Sequence, residues 1–272
     1  MSFNYPRIGL ALSGGAARGN AHVGVLRALA ENNIPIDVIA GTSSGSIVGG
    51  AFAAGLSLDE IEEFGRKLRW RHIGRVTVSW QGFQSNERLE KYMRDRLPIS
   101  RFEDLRIPFA AVATDLKTGT AVVMRDRGDV PFAIRASCAI PGWYVPVTDE
   151  HGRQLVDGGL VAVVPSSVAR SLGADIVIAV DVNADGATFI GPPNSVISVL
   201  FHALMVVQKT ASHMQVESAD VVIRPKVGHI RWDQVRRADE LIAAGYQAGL
   251  ESIPRIQALI DEATPVRTQR VS

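Results

Sequence analysis

Disulfide chemistry is excluded first, because the chain holds a single cysteine, Cys138. A lone thiol closes no intrachain bridge, and such usage fits a reducing compartment. The common metal-binding spacings are missing too. There is no Cys-x-x-Cys, and the six histidines form neither His-x-x-x-His nor His-Glu-x-x-His. We therefore expect no metal and no cofactor. No apolar run reaches the roughly 18 residues that span a bilayer. The longest candidate, residues 196–207, is interrupted by Ser198 and His202. Residues 1–12 lack the basic start and long apolar core of a secretory signal. The expected location is cytoplasmic, with peripheral attachment at the inner membrane surface left open. A one-signed charge is also lacking. The formal net charge is +1 over 272 residues, which gives no global field for nucleic acid. Locally, Arg66-Lys67-Leu68-Arg69-Trp70-Arg71 is basic; a solvated helix end accounts for it at least as well as an anionic lipid surface.

What is present is a globular composition, 46% hydrophobic and 21% charged. Ile8, Leu10 and Leu12 alternate in a strand over residues 7–12. It runs into Ser13-Gly14-Gly15-Ala16-Ala17-Arg18-Gly19, then a helix with Val23, Leu26, Leu29 and Ala30 on one face. A second strand over residues 36–40 enters Gly41-Thr42-Ser43-Ser44-Gly45, and a helix follows through Ala54. This β-turn-α-β-turn-α order implies parallel strands, with both glycine turns at the ligand-binding edge of the sheet. Ser57-Leu58-Asp59-Glu60 is a capping box. Residues 70–84 read as a loop covering the site. Residues 109–113 and 120–124 form a hairpin, and residues 145–147 and 153–156 another. Apolar strands are expected at 175–180 and 221–224. A loop is expected at 185–194, a long helix over 195–218, closing helices over 232–263 broken near Pro254, and a frayed tail at 264–272. With no repeats and no linker, one α/β domain covers residues 1–272.

Gly41 and Gly45 flank Ser43 in the Gly-x-Ser-x-Gly pattern of a nucleophile elbow, with the hydroxyl at the apex of a sharp turn. A serine hydroxyl needs a base in hydrogen-bond reach. No histidine directly follows a predicted strand, although a Ser-Asp-His order permits His202, His213 or His229. Asp115, Asp157 and Asp181 do follow apolar strands. Only Asp157 continues into Gly158-Gly159, which allows close backbone approach. Gly14-Gly15-Ala16 offers unobstructed N–H groups for an oxyanion, with Arg18 adding positive charge nearby. The stretch is neither a P-loop nor a dinucleotide fingerprint.

Three separated motifs then agree. Leu12 to Gly19 with His22-Val23-Gly24-Val25-Leu26, then Gly41 to Gly45, and then Leu155-Val156-Asp157-Gly158-Gly159-Leu160 resemble the patatin-like phospholipases, in particular their short bacterial members. Ala139-Ile140-Pro141-Gly142 adds to the likeness, which covers residues 6–182; the helices and last strand of residues 195–263 are less diagnostic. The resemblance implies a three-layer α/β/α fold around a central, mostly parallel sheet. It implies Ser43 as nucleophile and Asp157 as base, without histidine. It also implies Gly14, Gly15 and Ala16 as oxyanion hole, with Arg18 supporting that loop. Ala16 stands where the family carries a third glycine, and its methyl restricts φ to negative values. The expected activity is ester hydrolysis of (lyso)phospholipids or related acyl lipids through an acyl-enzyme. Its alternatives are a carboxylesterase or thioesterase on soluble acyl groups and a non-catalytic acyl-lipid-binding protein. A carboxylate base predicts activity persisting below the pH at which histidine protonates. No nucleic-acid partner is expected, and oligomeric state is not readable. The apolar set Val199, Leu200, Phe201, Leu204, Met205, Val206 and Val207 reads as core packing ahead of a lipid-facing surface.

Overall fold

The computed structural model describes residues 5–184 and 194–264. The readings of residues 1–4, of the loop over 185–193 and of the tail over 265–272 lie outside these, as does the Phe201 side chain. Strand β1 (Ile8–Leu12) passes through a 3-10 turn (Ala16–Gly19) into α1 (Asn20–Glu31). Strand β2 (Val38–Thr42) passes into α2 (Ser44–Ala53). Helix α3 (Leu58–Lys67) begins at the expected capping box: Ser57 Oγ accepts from Glu60 N–H, and the Glu60 carboxylate accepts from Ser57 N–H.

Residues 70–84 are not a plain loop. They form α4 (Trp70–Ile73), β3 (Arg75–Val76) and β4 (Gly82–Ser85), elements too short to show a period. There follow α5 (Glu87–Arg94), β5 (Phe109–Asp115), β6 (Thr120–Met124), α6 (Val130–Ser137), β7 (Gly142–Tyr144), β8 (Val147–Thr148) and β9 (Gln154–Asp157). The chain continues with α7 (Ser166–Ser171), β10 (Ile176–Val180), α8 (Val196–Gln215), β11 (Val221–Ile223) and α9 (Ala238–Ala263). The break expected at Pro254 does not occur. Proline removes one helical hydrogen bond, but Pro254 lies on the exposed side while Ile253, Ile256 and Ile260 pin α9 into the core. Ala30 is exposed, and Ala28 takes its place on the buried face of α1.

The large sheet has the order β11-β10-β1-β2-β5-β9-β8, with β6 also on β5. Pairs from β11 to β5 are parallel; those joining β6, β8 and β9 are antiparallel. The two faces differ in side-chain size. Ile8, Leu10, Leu12 and Ile39 pack under α1, α2, α6 and α9. Ala11, Ala40, Ala110 and Ala179 line the other face, under α7. This is the three-layer α/β/α arrangement. A small second sheet, β3-β4-β7, stands beside it. Helices α1 and α9 meet backbone to backbone, since a Cβ at Gly245 would overlap the Ala21 carbonyl. Among the described residues no helix is long and apolar enough to cross a membrane.

The edges of β5 decide where the site forms. Strand β2 pairs with residues 109–112, β6 with 111–115, and β9 with 113–115. Because β6 overlaps both of the others in register, it must hold one edge alone. Strands β2 and β9 therefore share the other edge, end to end. Thr42 is opposite Val112, and Asp157 is opposite the next residue, Ala113.

Candidate active site

Ser43 is the first residue beyond β2 and sits at φ 51°, ψ −122°. This region is strained for any residue with a Cβ. The turn persists because it is held on all sides. Ser46 N–H and Ser46 Oγ both donate to the Ser43 carbonyl, at 2.9 and 2.6 Å. A Cβ at Gly41 would come within 2.6 Å of the Gly45 carbonyl oxygen, so the flanking glycines permit the close crossing. The Ser43 N–H donates to Ser137 Oγ at 2.8 Å, and that hydroxyl donates to the Val112 carbonyl at 2.6 Å. Ser137, at the end of α6, thus stitches the elbow to β5 across the junction of β2 and β9. Sequence reasoning missed it; the only signal was a serine closing an apolar helix. Helix α2 directs the positive end of its dipole toward Ser43.

Asp157, the last residue of β9, is 4% exposed. Its N–H donates to the Ala139 carbonyl at 2.8 Å, and its carbonyl accepts from Thr114 Oγ1 at 2.9 Å. Its Oδ1 accepts from Gly159 N–H at 2.8 Å. Burial pushes the carboxyl up to about 6, opposed by hydrogen bonds from the Ser43 hydroxyl and from Gly159 N–H. The shared edge of β5 has therefore brought the hydroxyl and the carboxylate together. Asp115 and Asp181 are engaged elsewhere. Asp115 accepts from Lys117 N–H and Thr118 Oγ1 within its hairpin. Asp181 accepts from Asn183 N–H, and burial raises its carboxyl.

The loop after β1 lies against the elbow: a Cβ at Gly14 would stand 3.3 Å from Ser43 Cβ. The three expected donors are not equivalent. Gly14 N–H donates to the Val163 carbonyl at 3.0 Å, so it is already committed. Among the described residues, Gly15 and Ala16 N–H have no partner. Contrary to the negative φ expected of a residue with a methyl, Ala16 has φ 49°, a left-handed conformation that costs about 1–2 kcal/mol. Asn183 Nδ2 donates to the Gly14 carbonyl at 2.7 Å, and Ala17 N–H to the Trp232 carbonyl at 2.8 Å. Arg18 is 1% exposed, and its guanidinium donates to the Ile230 and Gly228 carbonyls. It anchors the loop.

The histidines fall away from this cluster. His22 Nε2 contacts the Ser13 carbonyl, and burial drives its imidazole down to about 4, which keeps it neutral. His72 stacks on Tyr92, His202 Nδ1 contacts the Ser198 carbonyl, and His229 pairs with Glu240. None lines either cavity that Ser43 opens into.

Those two cavities differ in character. One is lined by Val23, Ile47, Val48, Ile61, Phe64 and Leu89 and opens at Ser43. The other is lined by Asp157, the glycine loop, Asn183 and Gln208. Beyond it a groove of about 940 Å³ runs between the β3–β4 hairpin and α8, over Trp143 and Trp232.

Fold and site together define an α/β/α protein whose elbow serine faces a buried aspartate with two unengaged N–H groups alongside. The chain belongs to the patatin-like phospholipase family, whose model matches residues 10–170. An uncharacterised NTE family protein of Mycobacterium tuberculosis is 42% identical over 185 residues, 67% of this chain and 51% of that one. Lysophospholipase NTE1 of Mycosarcoma maydis is 37% identical over 185 residues, 65% of this chain and 10% of that one. The chain thus spans about half the length, or less, of these curated relatives. Among solved structures, VipD from Legionella pneumophila aligns with a TM-score of 0.56 at 13% identity, over 95% of this chain and 67% of that one. That likeness concerns the fold alone.

Proposed function

We propose that this protein is a serine acyl-hydrolase that cleaves carboxylic esters of lysophospholipids or related acyl lipids, with Ser43 as nucleophile and Asp157 as base. The observation that carries the reading is the meeting of β2 and β9 on one edge of β5. It sets a buried carboxylate against a strained serine hydroxyl with no histidine between them.

In the proposed reaction Asp157 takes the Ser43 proton as Oγ attacks the ester carbonyl. The tetrahedral oxygen is held by Gly15 and Ala16 N–H, supported by the α2 dipole. Asp157 then passes its proton to the leaving alkoxide and the ester bond breaks. Water hydrolyses the acyl-enzyme by the same steps, with Asp157 again as base. Arg18, His22 and Asn183 hold the loop that carries the donors. The apolar cavity under α2 and α3 suits the acyl chain, and the second cavity, where Asn183 and Gln208 add polar groups, suits the ester and head group. The name of the Mycosarcoma maydis relative favours lysophospholipid within this class.

The test is hydrolysis of lysophosphatidylcholine and of a soluble short-chain ester, together with fluorophosphonate labelling. Ser43→Ala should abolish labelling and turnover. Asp157→Asn should lower kcat by at least about a hundredfold, the lower end of what one general base contributes. Retained turnover in Asp157→Asn with loss in a histidine variant would overturn the dyad. Rapid cleavage of the soluble ester but none of the lipid would leave a general esterase.

A further inference from the structure

The β3–β4 hairpin and α8 leave an apolar surface that the hydrolytic reading does not use. Val76, Val78 and Trp80 are exposed on the hairpin, with Val78 and Trp80 at its tip open to solvent over their whole side chains. Val199, Leu200, Val206 and Val207 are exposed on α8. The expectation of core packing for these α8 residues is therefore wrong. Val199, Leu200, Val206 and Val207 point outward, and Leu204 and Met205 are half-buried. The sequence could not separate the two cases, because an apolar helix face looks the same whether a sheet or a lipid layer covers it. The wide groove opens between these two elements and leads down to the cavities at Ser43.

Charge says what covers this surface. The 23 residues from 64 to 86 carry four arginines and a lysine and no aspartate or glutamate, in a chain whose net charge is +1. Arg66 and Lys67 are neutralised by Glu62, Asp239 and Glu63. Arg71, Arg75 and Arg88 are exposed with no carboxylate partner among the described residues. They are tied to one patch, since Arg88 donates to the Arg71 carbonyl and Arg75 opens β3 beside Val76. A second copy of the same basic face would be repelled. A surface of negative head groups over an apolar interior matches both the cations and the tryptophan between them.

We propose that the β3–β4 hairpin, flanked by Arg71, Arg75 and Arg88, docks this protein on anionic lipid surfaces, with α8 as the second contact. The groove between the two then faces the bilayer, so an acyl lipid passes to Ser43 without crossing water. This last step rests on the acyl-lipid reading; the docking does not, and the two fail separately.

The experiment uses the full chain carrying Ser43→Ala, so that binding is read without turnover. Co-sedimentation is measured with phosphatidylcholine vesicles and with vesicles of phosphatidylcholine mixed with phosphatidylglycerol. Binding is expected on the mixed vesicles and should fall steeply with salt. Arg71→Gln, Arg75→Gln and Arg88→Gln together should weaken it on the order of a hundredfold, at about 1 kcal/mol per cation. Val78→Ser with Trp80→Ser should weaken it at least about tenfold. Unchanged melting temperatures report that these solvent-facing variants fold. Equal binding to both vesicle types, or variants that bind like the parent, would overturn the proposal. So would self-association that the Val78/Trp80 variant abolishes in the absence of vesicle binding. With Ser43 restored, vesicle binding without lipid turnover would count against the hydrolase alone. Turnover of detergent-dispersed lipid without vesicle binding would count against the docking alone.

Discussion

Asp157 carries a cost that its neighbours do not remove. Its titration has no cationic contribution, and burial holds the carboxyl at about 6. An aspartate in the unfolded chain titrates near 3.9. Between those values the folded state binds more protons, so this group lowers stability as pH rises through that window and leaves the full loss above it. Asp157→Asn should therefore raise stability at pH 7 by roughly 2 kcal/mol, or several degrees in Tm. The gain should shrink as pH falls from about 6 toward 4. Melting curves across that range would check it, and a variant less stable than the parent at pH 7 would contradict the buried-carboxylate account. If Asp157 is the base proposed above, the acid limb of kcat/KM should fall near pH 6. Burial has narrowed the expected margin below the histidine range, since a carboxyl at about 6 lies only a little under the ordinary imidazole value of about 6.5. Ala16 offers a second residue-scale test. Its positive φ is one that glycine adopts freely, while glycine adds entropy to the unfolded chain. Ala16→Gly should be net stabilising by about 0.5–1 kcal/mol, measurable as a small rise in melting temperature with the site intact.

Between elements, the joint at Ser137 matters most. Its hydroxyl links α6, the elbow before α2, and β5. Ser137→Ala leaves a buried N–H and a buried carbonyl each short of this partner, which costs about 1–3 kcal/mol. Because the N–H belongs to Ser43, kcat should fall while KM changes little; equal kcat with lower stability would make the bond purely structural. Such joints mark the limit of what sequence shows. Ser43, its glycines and the strand before it were legible, because a βα turn is local and its punctuation lies within a few residues. Asp157 could be narrowed down from the Gly158-Gly159 that follows it. That β9 inserts behind β2 on β5 was not legible, since pairing register between distant strands leaves no local mark. The division of labour in the glycine loop was equally hidden: Gly14 is occupied by Val163, a contact across about 150 residues of chain. The packing of α1 on α9 through Gly24 and Gly245 belongs to the same class.

At the scale of the whole molecule, Ser43 borders both an apolar chamber lined by α2 and α3 and a second chamber that also holds Asp157, Asn183 and Gln208. On the proposed reading the acyl chain and head group lie in different chambers. Val48, on α2, lines the apolar chamber close in sequence to Ser43. Val48→Phe should lower kcat/KM for long-chain esters by about tenfold or more relative to short-chain ones, with the short-chain rate nearly kept. A chain-length series of p-nitrophenyl esters reads this directly; a uniform drop would place the acyl chain elsewhere. The end-to-end meeting of β2 and β9 also has a consequence in time. On the ribosome Ser43 emerges 114 residues ahead of Asp157, roughly 6–20 s earlier at about 5–20 residues per second. Until β9 arrives on β5, Ser43 lacks the carboxylate proposed as its base, so chains truncated before Asp157 should show no fluorophosphonate labelling. On the proposed mechanism the chain stays inert through the first half of its own synthesis.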